Sequence, residues 1–180
     1  HIFQQYFPGF KNAQIKSVAS QLGVRETRRI IGDYMLTVND LREEKSFEDN
    51  IGYSMYGWDL PDPKKPSIQP FADDEKSGFK PKVEKGLSTP LPYRIMIPKK
   101  IENLICPGRA VSVEGQALGP VRVMAPCMAM GEAAGMACKQ VVAEGKSFGA
   151  IDIPELRKGL KKVGVIIDRV QLPPIYPRVD

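Results

Sequence analysis

The residues best suited to chemistry lie between Asn103 and Ala137, in the run NLICPGRAVSVEGQALGPVRVMAPCMAMGEAAGMA. Gly108 and Arg109 close an apolar stretch, a loop with Ser112, Gly115, Gln116 and Gly119 follows, and a helix is predicted to open around Arg122. The first turn of a helix leaves backbone N–H groups without intrahelical partners, and the helix dipole adds positive character there. With Arg109 or Arg122 alongside, that start suits a phosphate or an electron-rich ring oxygen. Small residues at Ala125, Ala129, Gly131, Ala134 and Gly135 let a cofactor or another strand approach the helix backbone closely. On spacing alone, tight packing is the simpler explanation of such a stripe.

A second group comprises Arg25, Arg28 and Arg29. Guanidinium forks bind carboxylates well, so Arg25 and Arg28 are candidates for an anionic substrate, with salt bridges to Glu26 or Asp33 as the alternative. On an extended chain Arg28 and Arg29 point to opposite faces, so at most one of them shares a pocket with Arg25. Tyr34, Tyr53, Tyr56 and Trp58 are aromatic enough to line a cavity, but aromatic residues in strands more often serve a core. Cys106, Cys127 and Cys138 show no paired spacing, and the single histidine is His1, which argues against a zinc or iron–sulfur site. Buried, reduced thiols are expected.

These groups need elements to position them. Phe10 to Leu22 carries Ile15, Val18, Ala19 and Leu22 at helical spacing and ends at Gly23, which predicts an amphipathic helix. Thr27 to Leu36 reads as a strand, and Thr37 with Asp40 three residues on predicts a capped short helix carrying Leu41. The stretch from Asp59 to Pro92 is rich in Pro, Lys, Asp, Gly and Ser and is expected to be a loop or lid. Tyr93 to Ile97 and Ile101 to Cys106 read as short strands. Val123 to Glu144 is predicted as a helix, with Pro126 in its first turn, Gly145 after its end, and Met124, Met128, Gly131, Gly135 and Cys138 along one face. A last helix begins at Pro154, with Glu155 early and Lys158, Lys161 and Lys162 later, as the dipole favours. The tail from Leu172 is expected to be extended.

Composition sets the class. The 180 residues are 42% hydrophobic and 26% charged, as in a globular protein able to bury a core. The formal charge of +5 comes from scattered basic residues, which argues against nucleic acid and suits an anionic cofactor. The longest apolar stretch, Val121 to Cys138, is broken by Arg122 and Glu132 and reads as a buried helix rather than a membrane span. The chain opens at His1 without methionine, so no compartment can be read from a leader.

Asn103 to Ala137 resembles the C-terminal flavin-contacting segment of FAD-dependent oxidoreductases of the glutathione-reductase-like type. In these a strand ending in Gly-Arg is followed by a loop, Arg-Val-Met and a helix of the form Cys-Met-Ala-x-Gly-x-Ala-Ala-Gly. Gly23 to Thr37, Phe47 to Ile51 and Leu91 to Leu104 resemble the same family in the same order. The likeness runs from about Pro8 to the helix at Pro154. It implies an α/β fold: the C-terminal fragment of a two-domain, Rossmann-like FAD-binding oxidoreductase, with part of a substrate domain and the closing strand and helix of the FAD domain. It also implies hydride transfer from a small-molecule substrate to FAD, with an electron acceptor to reoxidise it. Carried over, Gly108, Arg109 and Ser112 would line the strand end, and Arg122, Val123 and Met124 the helix start.

The expected organisation is a substrate-domain portion over 1–97 with a long loop at about 59–92, a closing segment of the FAD domain over 98–150, and a terminal helix and Pro-rich tail over 151–180. Two departures from the family pattern bear on function. The loop before Arg-Val-Met has no histidine, so no catalytic residue is assigned. No GxGxxG motif occurs in the 180 residues, so the ADP-binding N-terminal half is expected to be missing and the fragment alone inactive. A non-catalytic packing module, or an anion- or nucleotide-binding module using the Arg122 helix start, is the alternative.

Overall fold

The computed structural model describes residues 1–43, 45–57 and 88–168. Six regular elements occur among them: α1 (Ile2–Tyr6), α2 (Val38–Arg42), β1 (Asn50–Ser54), β2 (Thr89–Pro92), α3 (Met124–Glu144) and α4 (Ile153–Lys162). Most of the expected loop, and the expected tail, lie outside the described residues. The last part of the Asp59–Pro92 run is not loop but β2.

The β1–β2 pair is antiparallel, with Tyr53 opposite Pro90 and Ser54 opposite Thr89, and its register is irregular between Asn50 and Tyr53. Proline cannot donate to a ladder, and β2 has two of them. Asn50 makes up the deficit from its side chain. Its Oδ1 accepts from Leu91 N at 2.8 Å while its Nδ2 donates to Ile167 O at 3.0 Å, tying the pair to the segment beyond α4.

Local chemistry places the helices. The Thr37 side chain accepts from Asp40 N and the Asp40 carboxylate accepts from Thr37 N, the reciprocal box expected from sequence. Glu114 adds a second cap from far along the chain, its Oε2 accepting from Val38 N at 2.9 Å. α4 starts with Asp152 accepting from Glu155 N. α3 ends at Gly145, which adopts φ 65°, a left-handed conformation that glycine reaches without a Cβ penalty.

One hydrophobic cluster joins these elements. Leu36, Ile51, Leu91, Ile95, Val111, Leu118, Met130, Leu156 and Leu160 are fully or almost fully buried within it. α3 lies against β1, where a Cβ at Gly52 would meet the Ala129 Cβ at 3.7 Å, and against α4, where one at Gly159 would meet the Met136 sulfur at 3.3 Å.

Four sequence expectations are corrected. Phe10 to Leu22 is not helical, and Ile15 is 86% exposed. Its apolar face has no partner among the described residues, and a helix of that length is marginal without one. Tyr93–Met96 is a 3-10 turn, not a strand, because Asp49 claims its first donors: Tyr93 N donates to Asp49 O and Arg94 N to Asp49 Oδ2. Ile101 to Cys106 forms no strand. Its ladder is reduced to the bond from Cys106 N to Met96 O at 2.9 Å, too little pairing to hold a strand. Thr27 to Leu36 is extended but forms only isolated bridges, Gly32 to Pro98 and Leu36 to Val113.

Candidate functional site

The approach to α3 is a tight turn. Gln116–Leu118 form a 3-10 turn, Leu118 O accepts from both Val121 N and Arg122 N at 3.0 Å, and Val123 then extends before the helix begins. No side chain caps this start, and its first turn holds no acidic residue. Pro126 has no N–H to offer, and Cys127 N already donates to Val123 O, which leaves Met124 and Ala125 as the first-turn amides without an intrahelical acceptor. Met124 itself is 78% exposed. The donor set of this terminus is therefore one for an acceptor or anion from outside.

Two arginines flank it. Arg122 is only 4% exposed and sits in the chain just before the first turn. Arg109 is exposed and donates from Nη1 to Val24 O at 2.8 Å. Gly108 beside it has φ +92°, and a Cβ there would lie 3.9 Å from the Cys127 sulfur, so the Gly108-Arg109 corner abuts the first turn of α3. Burial pushes the Cys127 thiol up, and the Arg109 charge works against that rise. The thiol donates to Arg122 O at 3.3 Å.

Ser112 is fully buried and acts as a hub. Its N donates to Ile95 O at 2.8 Å, its carbonyl accepts from Leu36 N at 3.1 Å, and its Oγ accepts from Gly32 N at 3.1 Å. It holds three chain segments together beneath the loop. Of the residues expected from sequence, Gly108 and Arg109 lie beside Cys127 in the first turn of α3, Arg122 and Val123 lead into that turn, Met124 begins it, and Ser112 ties the loop to the 32–36 segment and to Ile95.

Arg25 and Arg28 lie on the extended run that crosses this loop, and both are exposed. The run is tied down by the Arg109 bond to Val24 O and by Ile30 N donating to Ala110 O at 2.7 Å. The aromatic residues divide: Tyr34 stacks edge-on against Phe47, Tyr56 is exposed, and Trp58 lies outside the described residues. The thiols are not all buried as expected. Cys138 is exposed, while Cys106 and Cys127 are half-buried.

The face of α3 that carries Met124, Met128, Gly131, Gly135 and Cys138 is the exposed one, with Met128 at 74%. The core instead takes Met130, Ala133, Ala134 and Ala137. The apolar stretch is thus a half-buried helix rather than a buried one, and apart from the neighbouring residues and the helix's own backbone no described atom lies within 4 Å of a Cβ built at Gly131 or Gly135.

Sequence reasoning missed two polar clusters. Lys45 Nζ bonds both Tyr34 Oη and Asp40 Oδ1 at 3.0 Å. Burial of Asp40 favours its neutral form, but hydrogen bonds from Tyr34, Thr37 and Lys45 outweigh that and hold the carboxyl below its usual range. Burial pushes the Tyr34 hydroxyl up. Farther along, a groove of about 560 Å³ is lined by Glu48, Asp49, Arg94, Ile153, Pro154 and Arg157, among others. Two of its charges pair with each other, Arg94 Nε lying 2.9 Å from Asp49, while Arg157 Nη2 lies 3.2 Å from Asp168 outside the groove. No sequence signal marks either cluster, because the partners are brought together only by the fold.

Among the described residues no group of three or more His, Cys, Asp or Glu side chains is placed to hold a metal ion, and no helix is long and apolar enough to cross a membrane. In comparisons with known proteins, the family model described as FAD dependent oxidoreductase matches residues 1–160. No curated protein and no solved structure matches the chain.

Proposed function

Because the chain belongs to the FAD dependent oxidoreductase family, we propose that it forms one side of a flavin pocket, with the start of α3 against the isoalloxazine ring. The observation that carries this reading is the 21-residue helix whose N-terminus is uncapped, free of acid and bordered by Arg109 and Arg122. An electron-rich cofactor edge fits that donor set. A dianionic phosphate fits it as well, which keeps the assignment to the ring rather than the pyrophosphate a matter of the family likeness.

When bound, FAD supplies the redox chemistry by accepting a hydride from a reduced small-molecule substrate, and an electron acceptor later restores it. The chain's own residues supply position and field. Gly108 and Arg109 form the corner beside the ring, Arg122, Val123 and Met124 present the helix start, and Ser112 holds the loop in register from below. The positive terminus, equivalent to about half an elementary charge, favours the anionic reduced ring and raises its potential. The run holding Arg25 and Arg28 borders the same loop and receives the substrate.

A phosphate-cradling loop is required for the ADP portion, and no GxGxxG motif is present in the 180 residues. That part of the pocket comes from outside them. The test is the visible absorbance of the protein purified from its complete reading frame. A flavin spectrum, present on isolation or gained on adding FAD, is expected; a colourless protein that gains none refutes the reading. The 180 residues alone are expected to take up little FAD, and a tight stoichiometric complex would overturn that part.

A further inference from the structure

We infer that the groove between the 48–49 segment, the Tyr93–Met96 turn and α4 is a binding site for a small phosphate ester that also carries a hydroxyl donor. None of its lining residues belongs to the flavin site proposed above, and the inference does not rest on that reading.

At about 560 Å³ the groove falls in the size range of small-molecule sites. Four of its lining residues are basic, Arg94, Arg157, Lys158 and Lys161, and two are acidic, Glu48 and Asp49. Three of the four cations come from α4. Arg157 and Lys161 stand one turn apart on the same side of that helix, and Lys158 follows Arg157 directly. Arg94 reaches the same groove from the 3-10 turn.

The carboxylates that pair with the α4 cations are not lining residues. Lys158 Nζ lies 3.5 Å from Glu155, while Lys161 Nζ at 2.6 Å and Arg157 Nη2 at 3.2 Å share Asp168. The Glu155 and Asp168 side chains are 60% and 59% exposed, and ion pairs so open to water are weak and exchange partners readily. A phosphoryl group, with up to about two charges and several acceptor oxygens, engages more of these cations at once than a single carboxylate does. Arg157 is held ready for it, because its Nη1 donates to Asn50 O and fixes the guanidinium against β1.

Asp49 supplies the second requirement. It is 4% exposed, and its Oδ2 accepts from both Arg94 N and Arg94 Nε at 2.9 Å. Its Oδ1 is buried and has no hydrogen-bond partner among the described residues. A buried carboxylate oxygen without a donor is unfavourable, and a ligand hydroxyl in the groove is the donor it lacks. Arg94 is thus committed to placing this acceptor, and the phosphoryl group falls to the cations of α4.

The test is titration calorimetry on the protein from the complete reading frame, with FAD in excess so that any dinucleotide site is filled. The probes are ribose 5-phosphate, methyl phosphate, which has no sugar hydroxyls, and ribose, which has no charge. Ribose 5-phosphate is expected to bind, methyl phosphate to bind more weakly, and ribose to give no heat. The Lys158 and Lys161 side chains are more than half exposed, so a Lys158→Gln/Lys161→Gln double variant keeps the fold. It is expected to weaken ribose 5-phosphate about 3- to 10-fold, and Lys146→Gln, outside the groove, to change it less than about twofold. No heat with ribose 5-phosphate, equal affinity for ribose, or unchanged affinity in the double variant would overturn the inference, as would an equal loss in Lys146→Gln. Methyl phosphate binding as tightly as ribose 5-phosphate would overturn the role given to Asp49.

Discussion

The node at Gly32 offers a direct test of how the extended run from Val24 to Leu36 is held. A Cβ at this position would stand 2.9 Å from Ile97 O, 3.1 Å from the Ser112 Cβ and 3.1 Å from Tyr34 O. Non-bonded carbon contacts are favourable at about 3.5–4.0 Å, so all three neighbours would have to move. Two of them are backbone atoms, and the third belongs to the fully buried Ser112. Gly32→Ala therefore cannot be relieved by rotating a flexible side chain. Overpacking of this kind costs about 1–3 kcal/mol, and loss of the bond from Gly32 N to Ser112 Oγ adds about 1 kcal/mol. A total of about 2–4 kcal/mol is expected, with the damage centred on the 30–36 and 97–99 segments. Hydrogen exchange should show lost protection at Ile30, Leu36 and Lys99, whose amides donate across this node. Urea unfolding, followed by circular dichroism, should show a lowered midpoint. Unchanged protection at those amides, or destabilisation under about 0.5 kcal/mol, would refute the argument that close approach is what glycine provides there.

Three further outcomes are expected. Asn50→Ala leaves the buried Leu91 amide and the Ile167 carbonyl without their partner and should cost about 2–4 kcal/mol by urea denaturation; a loss below about 1 kcal/mol would show that the β1–β2 pair does not depend on this brace. Asp40 is held below the ordinary carboxyl range in the folded protein, so its contribution is full above the unfolded value of about 4 and is lost as pH falls through the lower folded value. Asp40→Asn should therefore flatten the acid limb of a stability–pH curve, and an identical limb in the variant would remove Asp40 from it. Arg122→Ala in the flavin-loaded protein should weaken FAD binding about tenfold or lower the flavin midpoint potential, since a positive charge is removed; unchanged values of both by fluorescence titration and potentiometry would take Arg122 out of the pocket.

What could be read from the chain, and what could not, follows from the range of each interaction. The Thr37–Asp40 box, the Pro126 start and Gly145 end of α3, and Pro154 with Glu155 in the first turn of α4 are local and visible as patterns of residue type, whereas the Asp152 cap of α4 is not among them. Tyr93–Met96 looked like a strand because its composition is apolar and aromatic. The deciding partner, Asp49, lies far back in the sequence and captures the amides that a ladder would use. Phe10–Leu22 had helical spacing, yet spacing forms a helix only where a surface receives the apolar face. The inward face of α3 was ambiguous for another reason. Methionine and small residues occur all round it, so periodicity cannot tell Met130 and Ala137 from Met128 and Gly135. Around the candidate site, the start of α3 was legible, the strand expected to run into Gly108-Arg109 is absent, and the approach of Arg29 to Gly115 depends on how the extended run is anchored.

The two faces of α3 also predict how the chain tolerates mutation. At Ala133 and Ala137, which are wholly buried, any larger residue competes for core volume, and intolerance there reports only on folding. Gly131 and Gly135 are different, because the described chain leaves room for a side chain at both. In a saturation library selected for the activity of the complete protein, substitutions at these two glycines would be neutral if the chain's own fold were the sole constraint. Depletion of Ala and Ser at Gly131 and Gly135, at levels seen for Ala133 and Ala137, would measure a contact that originates outside the described residues and would map its footprint along the helix, residue by residue.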